Sequence, residues 1–363
     1  MSTDVGTGSA PEAGDTGVGG NGGEDRPEPD APGKPTALRQ IGRRSWGYLL
    51  RRTVREFLRD DAIDLAAGLT YYAVLAVFPA LIALVSLLGV LGQGPESVTA
   101  ILDVARELLP ASALGIVQPL IEGLAASRAA TLGLVLGLLG ALWFVSGYLQ
   151  AFGRAMNRVY DVREGRPLWK LVPLTAAITL LLGVLVMCAV VLLLVSGPVA
   201  EVLGEALGVG SGVLRLWGIA KWPVLTVLVA AAVAILYYST PNLRQPRFRW
   251  LSPGAVVAIL VWLTGSLLFG LYVSNFSTYD ATYGSLAGII VFLIWLWVTN
   301  LALLLGAELD AEVERVRELQ AGIVAEQQVQ LPTRDPAGVR RAEAAEQADV
   351  AAGRRIRERH DRS

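Results

Sequence analysis

Residues 171–197 read LVPLTAAITLLLGVLVMCAVVLLLVSG, a run without a single Asp, Glu, Lys, Arg or His. A helix rises 1.5 Å per residue, so about 20 such residues cross the roughly 30 Å hydrocarbon core of a bilayer. Runs of similar character stand at about residues 65–92, 131–152, 218–238, 253–275 and 284–307. Six spans follow. A bilayer interior offers no water to backbone amides, so each span is expected to be helical, with a break such as Pro79 covered by neighbouring helices. The two-residue alternation of a membrane β-barrel is not seen. The fold class expected is all-α: a polytopic membrane protein of six transmembrane helices, with a disordered N-terminal tail and a charged C-terminal helical tail.

Composition agrees. Of 363 residues, 53% are hydrophobic and 17% charged, and the mean hydropathy is +0.50, which does not fit ordinary soluble domains. The one Cys and one His, Cys188 and His360, are too few for a Cys/His zinc site, a His-based triad or a disulfide framework. No catalytic residue, metal ligand or cofactor is expected. Cys188, in mid-span, reads as a small apolar packing residue.

The formal charge of −1 conceals segments of opposite sign. The first 33 residues hold nine Gly and seven acids against one base, Arg26, and predict a disordered acidic tail over residues 1–40. No basic start followed by an apolar run precedes residue 40, so no cleaved signal peptide is expected. Residues 41–62 carry a basic amphipathic helix, with Trp46, Leu50, Val54 and Phe57 on one stripe and Arg44, Arg51, Arg52, Arg55 and Arg59 around it. That pattern suits a helix lying on anionic lipid headgroups. The plainer alternative is a charged helix packed on the rest of the protein. Nucleic acid is not expected as a partner, because no aromatic and basic module surrounds the helix. Residues 63–310 form the membrane domain and residues 311–363 a charged cytoplasmic tail.

Lys and Arg alternate between the connections. Eight stand in residues 34–61 ahead of the first span, the second connection has Arg154, Arg158, Arg163, Arg166 and Lys170, and the fourth has Arg244, Arg247 and Arg249. The other connections are nearly devoid of them, so the positive-inside bias puts both termini in the cytoplasm. In the long external segment before span two, apolar residues from Val98 to Leu124 recur at helical spacing and predict two short surface helices. Gly133, Gly137 and Ala141, and likewise Gly284 and Gly288, are spaced to let helices approach closely.

Several separated motifs carry a resemblance. Asp64-Leu65-Ala66-Ala67-Gly68-Leu69-Thr70-Tyr71-Tyr72 with Phe78-Pro79, then Asn157, Tyr160, Pro241, Ser252-Pro253-Gly254, Tyr272, Tyr283-Gly284-Ser285, Trp295 and Gly306-Ala307-Glu308 resemble the YihY/BrkB family of bacterial inner-membrane proteins over roughly residues 40–312. The resemblance implies six spans with cytoplasmic termini. Its members carry names such as virulence factor, envelope-integrity protein and ribonuclease BN. Metal-dependent RNA cleavage needs clustered carboxylates or histidines, and here the acids are scattered along the chain, so ribonuclease activity is not expected.

Polar side chains inside apolar spans are costly and point to function. Tyr71, Tyr72, Tyr272, Asn275 and Tyr283 are candidates for a polar pathway, although each alone more often makes an interhelical hydrogen bond. Asp64, Arg154, Arg158 and Glu308 fall at the cytoplasmic boundary as a candidate ion-pair lock or gate. The expected role is transport of a solute or lipid-like molecule, or support of the envelope; a membrane scaffold is the alternative. The expected partners are the lipid bilayer and either a second copy of the chain or other envelope proteins.

Overall fold

The computed structural model describes residues 26–91, 118, 130–195, 210–246, 252–274 and 286–360. Six of its helices are long and apolar enough to cross a membrane. A short 3-10 turn, Leu38–Gln40, leads into α1 (Arg43–Arg59), and the spans follow as α2 (Ala62–Leu91), α3 (Ala130–Val159), α4 (Leu168–Leu194), α5 (Ser211–Ser239), α6 (Pro253–Ser274) and α7 (Leu286–Gln320). A last helix, α8, covers Pro336–His360. Among the described residues there is no strand, only an isolated antiparallel bridge between Leu243 and Thr333. The acidic tail before residue 26, the external segment with its two expected helices, and Asn275, Gly284 and Tyr283 lie outside the described residues.

Each span packs on the next, and α7 returns to α2, so the six close into a ring, with α7 also reaching α3. Only 17–28% of each apolar window is buried inside the bundle. Most of the apolar surface therefore faces outward, as a lipid solvent requires and a watery one forbids. Lipid tails are as apolar as leucine, so close packing and hydrogen bonds must hold the helices together. Phe152, Leu69, Leu149, Met156 and Leu304 are fully buried, and Phe152 stacks between Tyr148 and Tyr237 at centroid separations of 6.3 and 6.4 Å.

Glycines set two close crossings between spans. A Cβ on Gly137 would stand 2.6 Å from the Ala83 nitrogen, and one on Gly140 would stand 3.1 Å from Pro79 Cβ. The kink-prone Pro79 thus sits inside α2, covered by α3. The second crossing joins two motifs far apart in the chain: Gly254 at the start of α6 lies against the Gly306 carbonyl of α7, and Gly306 lies against the Gly254 carbonyl.

All three termini-proximal segments gather at one end of the ring. α1 rests on the end of α7 through Leu49, which with Ile41, Leu309, Val313 and Val316 forms a separate small core. Its buried face is Leu49, Thr53 and Glu56, whereas Leu50 and Val54 of the expected apolar stripe are 55% and 58% exposed. The helix is therefore docked on one face and leaves an apolar and arginine-bearing face open. Beyond Gln320 the chain turns back; Val329 and Leu331 are buried in the main core and Ala325 is buried as well, so this segment is packed onto the bundle.

Candidate functional site

Past Gly306 the sequence of α7 changes from apolar to Glu308, Asp310, Glu312, Glu314, Arg315, Arg317 and Glu318. Solvent would be the ordinary destination of so many charges, yet Glu308, Glu312, Glu314, Arg315, Arg317 and Glu318 are all buried. They are buried because three segments converge on them. Lys34 Nζ, from the strap ahead of α1, lies 2.9 Å from Glu314 and 3.2 Å from Glu318, with its side chain 1% exposed. Arg317 donates to the Pro35 carbonyl at 2.7 Å and also to Glu314. From α1, Arg52 pairs with Glu312 at 3.2 Å, and Arg315 reaches the same carboxylate at 3.0 Å. From the returning segment, the Gln330 N–H donates to Glu318 at 2.8 Å, and Arg315 donates to the Ala325 carbonyl at 2.9 Å. Glu308 is 1% exposed and its Oε1 has no hydrogen-bond partner.

A second knot ties the connections together. Asn242, in the turn after α5, is fully buried. Its N–H donates to Asn157 Oδ1 at 2.8 Å, its Nδ2 donates to the Arg163 carbonyl at 3.1 Å, and its Oδ1 accepts from the Asp335 N–H at 3.2 Å. Asn157 in turn donates to Glu164 at 2.9 Å. Glu164 receives both Nε and Nη2 of Arg166 at 2.7 Å, and Nη2 also reaches the Thr240 carbonyl at 2.6 Å. One asparagine side chain thus satisfies backbone groups from two other loops and ties them to its own, which orders the whole end.

Within the apolar zone the hydrogen bonds join helices. Asn300 on α7 donates to Thr70 on α2 at 3.1 Å and accepts from the Tyr148 hydroxyl on α3 at 2.8 Å. Ser146 and Thr179 meet at 3.2 Å between α3 and α4. The candidate pathway residues that are described do not converge. Tyr71 is 63% exposed and Tyr272 49% exposed, Tyr272 stacking on Phe269 at 6.3 Å. Tyr72 turns inward against Gly147. Asn275 and Tyr283 are outside the described residues.

The candidate boundary residues are also separated. Arg158 pairs at 2.6 Å with Asp61, whereas Asp64 is exposed. Arg154 is exposed and lines a cavity with Glu164 and Arg166. Asp61 adopts φ 52 and Asp161 φ 51, left-handed turns that Asp tolerates better than most residues. Lys34, Asn242, Arg52 and Arg166 went unrecognised in the sequence as members of one site. The available signal was the four-residue spacing of Glu308 and Glu312, and of Glu314 and Glu318, interleaved with Leu309, Val313 and Val316, which reads as a helix face buried on two sides. Acids scattered along the chain also meet in space: Glu56, Asp60, Asp161 and Glu312 all act electrostatically on Glu308, because the ends of α1, α3 and α7 converge. Among the described residues, no group of three or more His, Cys, Asp or Glu could hold a metal ion.

The acids just outside the spans respond to this crowding. Burial first, and the neighbouring Asp161 carboxylate second, push Asp60 up from 3.8 to about 6, against the pull of Arg158. A carboxyl whose folded pKa is raised contributes most stability below its unfolded pKa and loses that contribution as pH climbs through the folded value. The expected result is a melting temperature that rises as pH falls from 7.5 toward 5, with a smaller rise in Asp60→Asn. Scanning fluorimetry at both pH values checks this; an identical pH response in the variant would contradict it. Glu164 behaves in the opposite way: burial raises it, but the hydrogen bonds and charge of Arg166 prevail and hold it below the usual range.

Two cavities open at this end. One of about 100 Å³ lies under the strap, between Pro35, Leu38, Tyr160, Tyr237, Ser252 and Asp310. The other, of about 180 Å³, lies among α3, α4 and the end of α5.

Comparison with known proteins gives a consistent answer. The family model described as virulence factor BrkB matches residues 53–330. The ribonuclease-like protein YfkH of Bacillus subtilis is 32% identical over 271 residues, covering 74% of this chain and 96% of its own length. A UPF0761 membrane protein of Alkalilimnicola ehrlichii is 31% identical over 265 residues, 69% of this chain and 55% of its own length. Another, from Aromatoleum aromaticum, is 31% identical over 285 residues, 75% of this chain and 66% of its own length. The chain thus spans little more than half to two thirds of the two latter relatives. No solved structure matches it.

Proposed function

The chain belongs to the virulence factor BrkB family, a family of membrane proteins, and from that premise we propose that it is a transporter of the bacterial inner membrane whose charged end is a gate on the cytoplasmic side. The alternation of Lys and Arg between connections supports this orientation. The observation that carries the gate is the buried charge around Lys34, Arg52 and α7. Replacing buried ion pairs by apolar residues of similar size is often neutral or stabilising, so an end that only needed closing would do as well with leucines. Ion pairs between a strap, a surface helix and a span can exchange partners or take up water when the segments part, which apolar contacts cannot do without exposing grease. The cargo is a polar or amphiphilic molecule that meets both cavities, where charged groups face apolar walls.

The test is flux. Proteoliposomes holding the full chain are expected to move a headgroup-labelled phospholipid or a small polar solute faster than protein-free liposomes. Lys34→Met, which unties the strap from α7, is expected to change that rate several-fold. Rates at the protein-free level for both cargo classes and both proteins would remove the transport reading. They would favour a scaffold that supports the envelope, for which the glycine-tight crossings of α2 with α3 and α6 with α7 give a rigid frame. On that second reading, pull-down of envelope proteins or of a second copy depends on the outward-facing Tyr71 and Tyr272. Ribonuclease activity, suggested by the name of the Bacillus relative, is not part of either reading.

A further inference from the structure

Arg166 is the best-anchored cation at the edge of the second cavity, and it is incompletely used. Its side chain is 6% exposed. A guanidinium offers five N–H groups. Nε and Nη2 fork onto Glu164, and Nη2 also serves the Thr240 carbonyl. Nη1, on the edge turned away from that fork, is buried and has no hydrogen-bond partner. A buried donor left unmade costs about 1–3 kcal/mol, so native proteins seldom leave one without a purpose.

The surroundings say what would complete it. Arg154, exposed at one turn from the end of α3, lines the same cavity. Two arginines and the single carboxylate of Glu164 leave one net positive charge there. An apolar part of the lining comes from the start of α4: Leu168, Leu171 and Leu174. Leu168 is 72% exposed, so this wall continues onto the outer surface of the bundle. Beside it, Trp169 is equally exposed and carries Lys170 Nζ at 5.2 Å over its ring, a pairing that belongs at headgroup depth. A single cavity therefore brings an unfilled guanidinium edge together with leucines, one of which, Leu168, continues onto the outer surface.

We propose that this cavity binds a phosphate-bearing anion between Arg166 and Arg154, with the acyl chain of an anionic phospholipid lying along Leu168, Leu171 and Leu174. Arg is suited to phosphate because its planar fork meets two oxygens at once. Glu164 keeps the charge of Arg166 in place and orients it, while the second charge comes from Arg154. The site names a chemistry for the cargo or a bound regulator of the transport reading, and takes its place in the cytoplasmic leaflet from that reading. It differs from the exposed face of α1, where any lipid contact would be a surface attraction without a cavity.

The experiment uses the delipidated full chain in detergent, with melting followed on addition of dioleoylphosphatidylglycerol, dioleoylphosphatidylcholine or inorganic phosphate. Phosphatidylglycerol is expected to raise the melting temperature by several degrees and phosphatidylcholine by less. Arg166→Gln removes a structural fork as well as the ligand, so Arg154→Gln is the decisive variant. It is expected to raise the half-saturating phosphatidylglycerol concentration about tenfold, the loss of one charge-assisted hydrogen bond, and Arg154→Lys to recover part of that loss. A response to phosphatidylglycerol and not to inorganic phosphate assigns the anion to a lipid; a response to inorganic phosphate of equal size that Arg154→Gln also abolishes assigns it to a free ion. No preference for phosphatidylglycerol and no response to phosphate, or responses unchanged in Arg154→Gln, would overturn the site. Binding that depends on Arg154 without flux would sustain the site and remove the transport reading, and flux without such binding would do the reverse.

Discussion

Replacing Lys34 by Met is expected to lower the melting temperature of the purified protein by several degrees and to detach the strap ahead of α1. Lys34 Nζ lies between Glu314 at 2.9 Å and Glu318 at 3.2 Å. Breaking a buried pair by removing one partner costs roughly 3–5 kcal/mol, because the other charge stays buried and uncompensated. Here the cost falls toward the lower part of that range, since Glu314 retains Arg317 and Glu318 retains the Gln330 N–H. The double variant with Glu318→Gln removes part of the stranded charge and is expected to recover part of the loss. Limited proteolysis ahead of residue 41 reads the strap directly. A Lys34→Met protein that melts and resists protease like wild type would show that these ion pairs do not hold the end closed.

The largest effect of all is expected from Gly306→Val. A Cβ at that position would stand 2.5 Å from the Tyr237 hydroxyl and 2.7 Å from Ala258 Cβ, and would collide with the Gly254 carbonyl. Overpacking a flexible core costs about 1–3 kcal/mol, occasionally more, but a backbone carbonyl on a packed helix cannot move aside as a side chain can. The expected result is loss of monodisperse protein. Gly183→Val is the control, because a Cβ on Gly183 meets nothing within 4 Å and the residue likewise lies inside a span, α4. Equal yield and melting temperature for the two variants would contradict the α6–α7 crossing.

The six spans were legible because apolar content over about 20 residues is a property of the local chain. Hydropathy located the runs at 171–197 and 253–275 within a few residues of the observed α4, Leu168–Leu194, and α6, Pro253–Ser274. It placed the end of the last span at residue 307, and the helix runs on into the charged helical tail as far as Gln320, since helix and apolar stretch are different quantities and nothing local ends the helix before Gly322 with its φ of 77. The site was much less legible. Lys34 and Glu318 stand 284 residues apart, and Asn242 joins its own turn to two loops that only the tertiary fold brings together. Charge counting registers Lys34 only as one of the positive charges ahead of the first span, because in sequence a buried ion pair and two surface charges look alike. The Pro241-Asn242 turn and the interleaved acids of α7 were the traces left in the chain, and neither names a partner.

Orientation is what the whole account stands on, for a gate, a strap and a lipid-binding cavity at the charged end have their proposed meaning only if that end meets the cytoplasm. Val350, 52% exposed on α8, provides the handle. In a Cys188→Ala background, Val350→Cys should resist a membrane-impermeant maleimide applied to intact cells and should label fully once the cells are opened. Full labelling in intact cells would place the charged end outside and contradict the account.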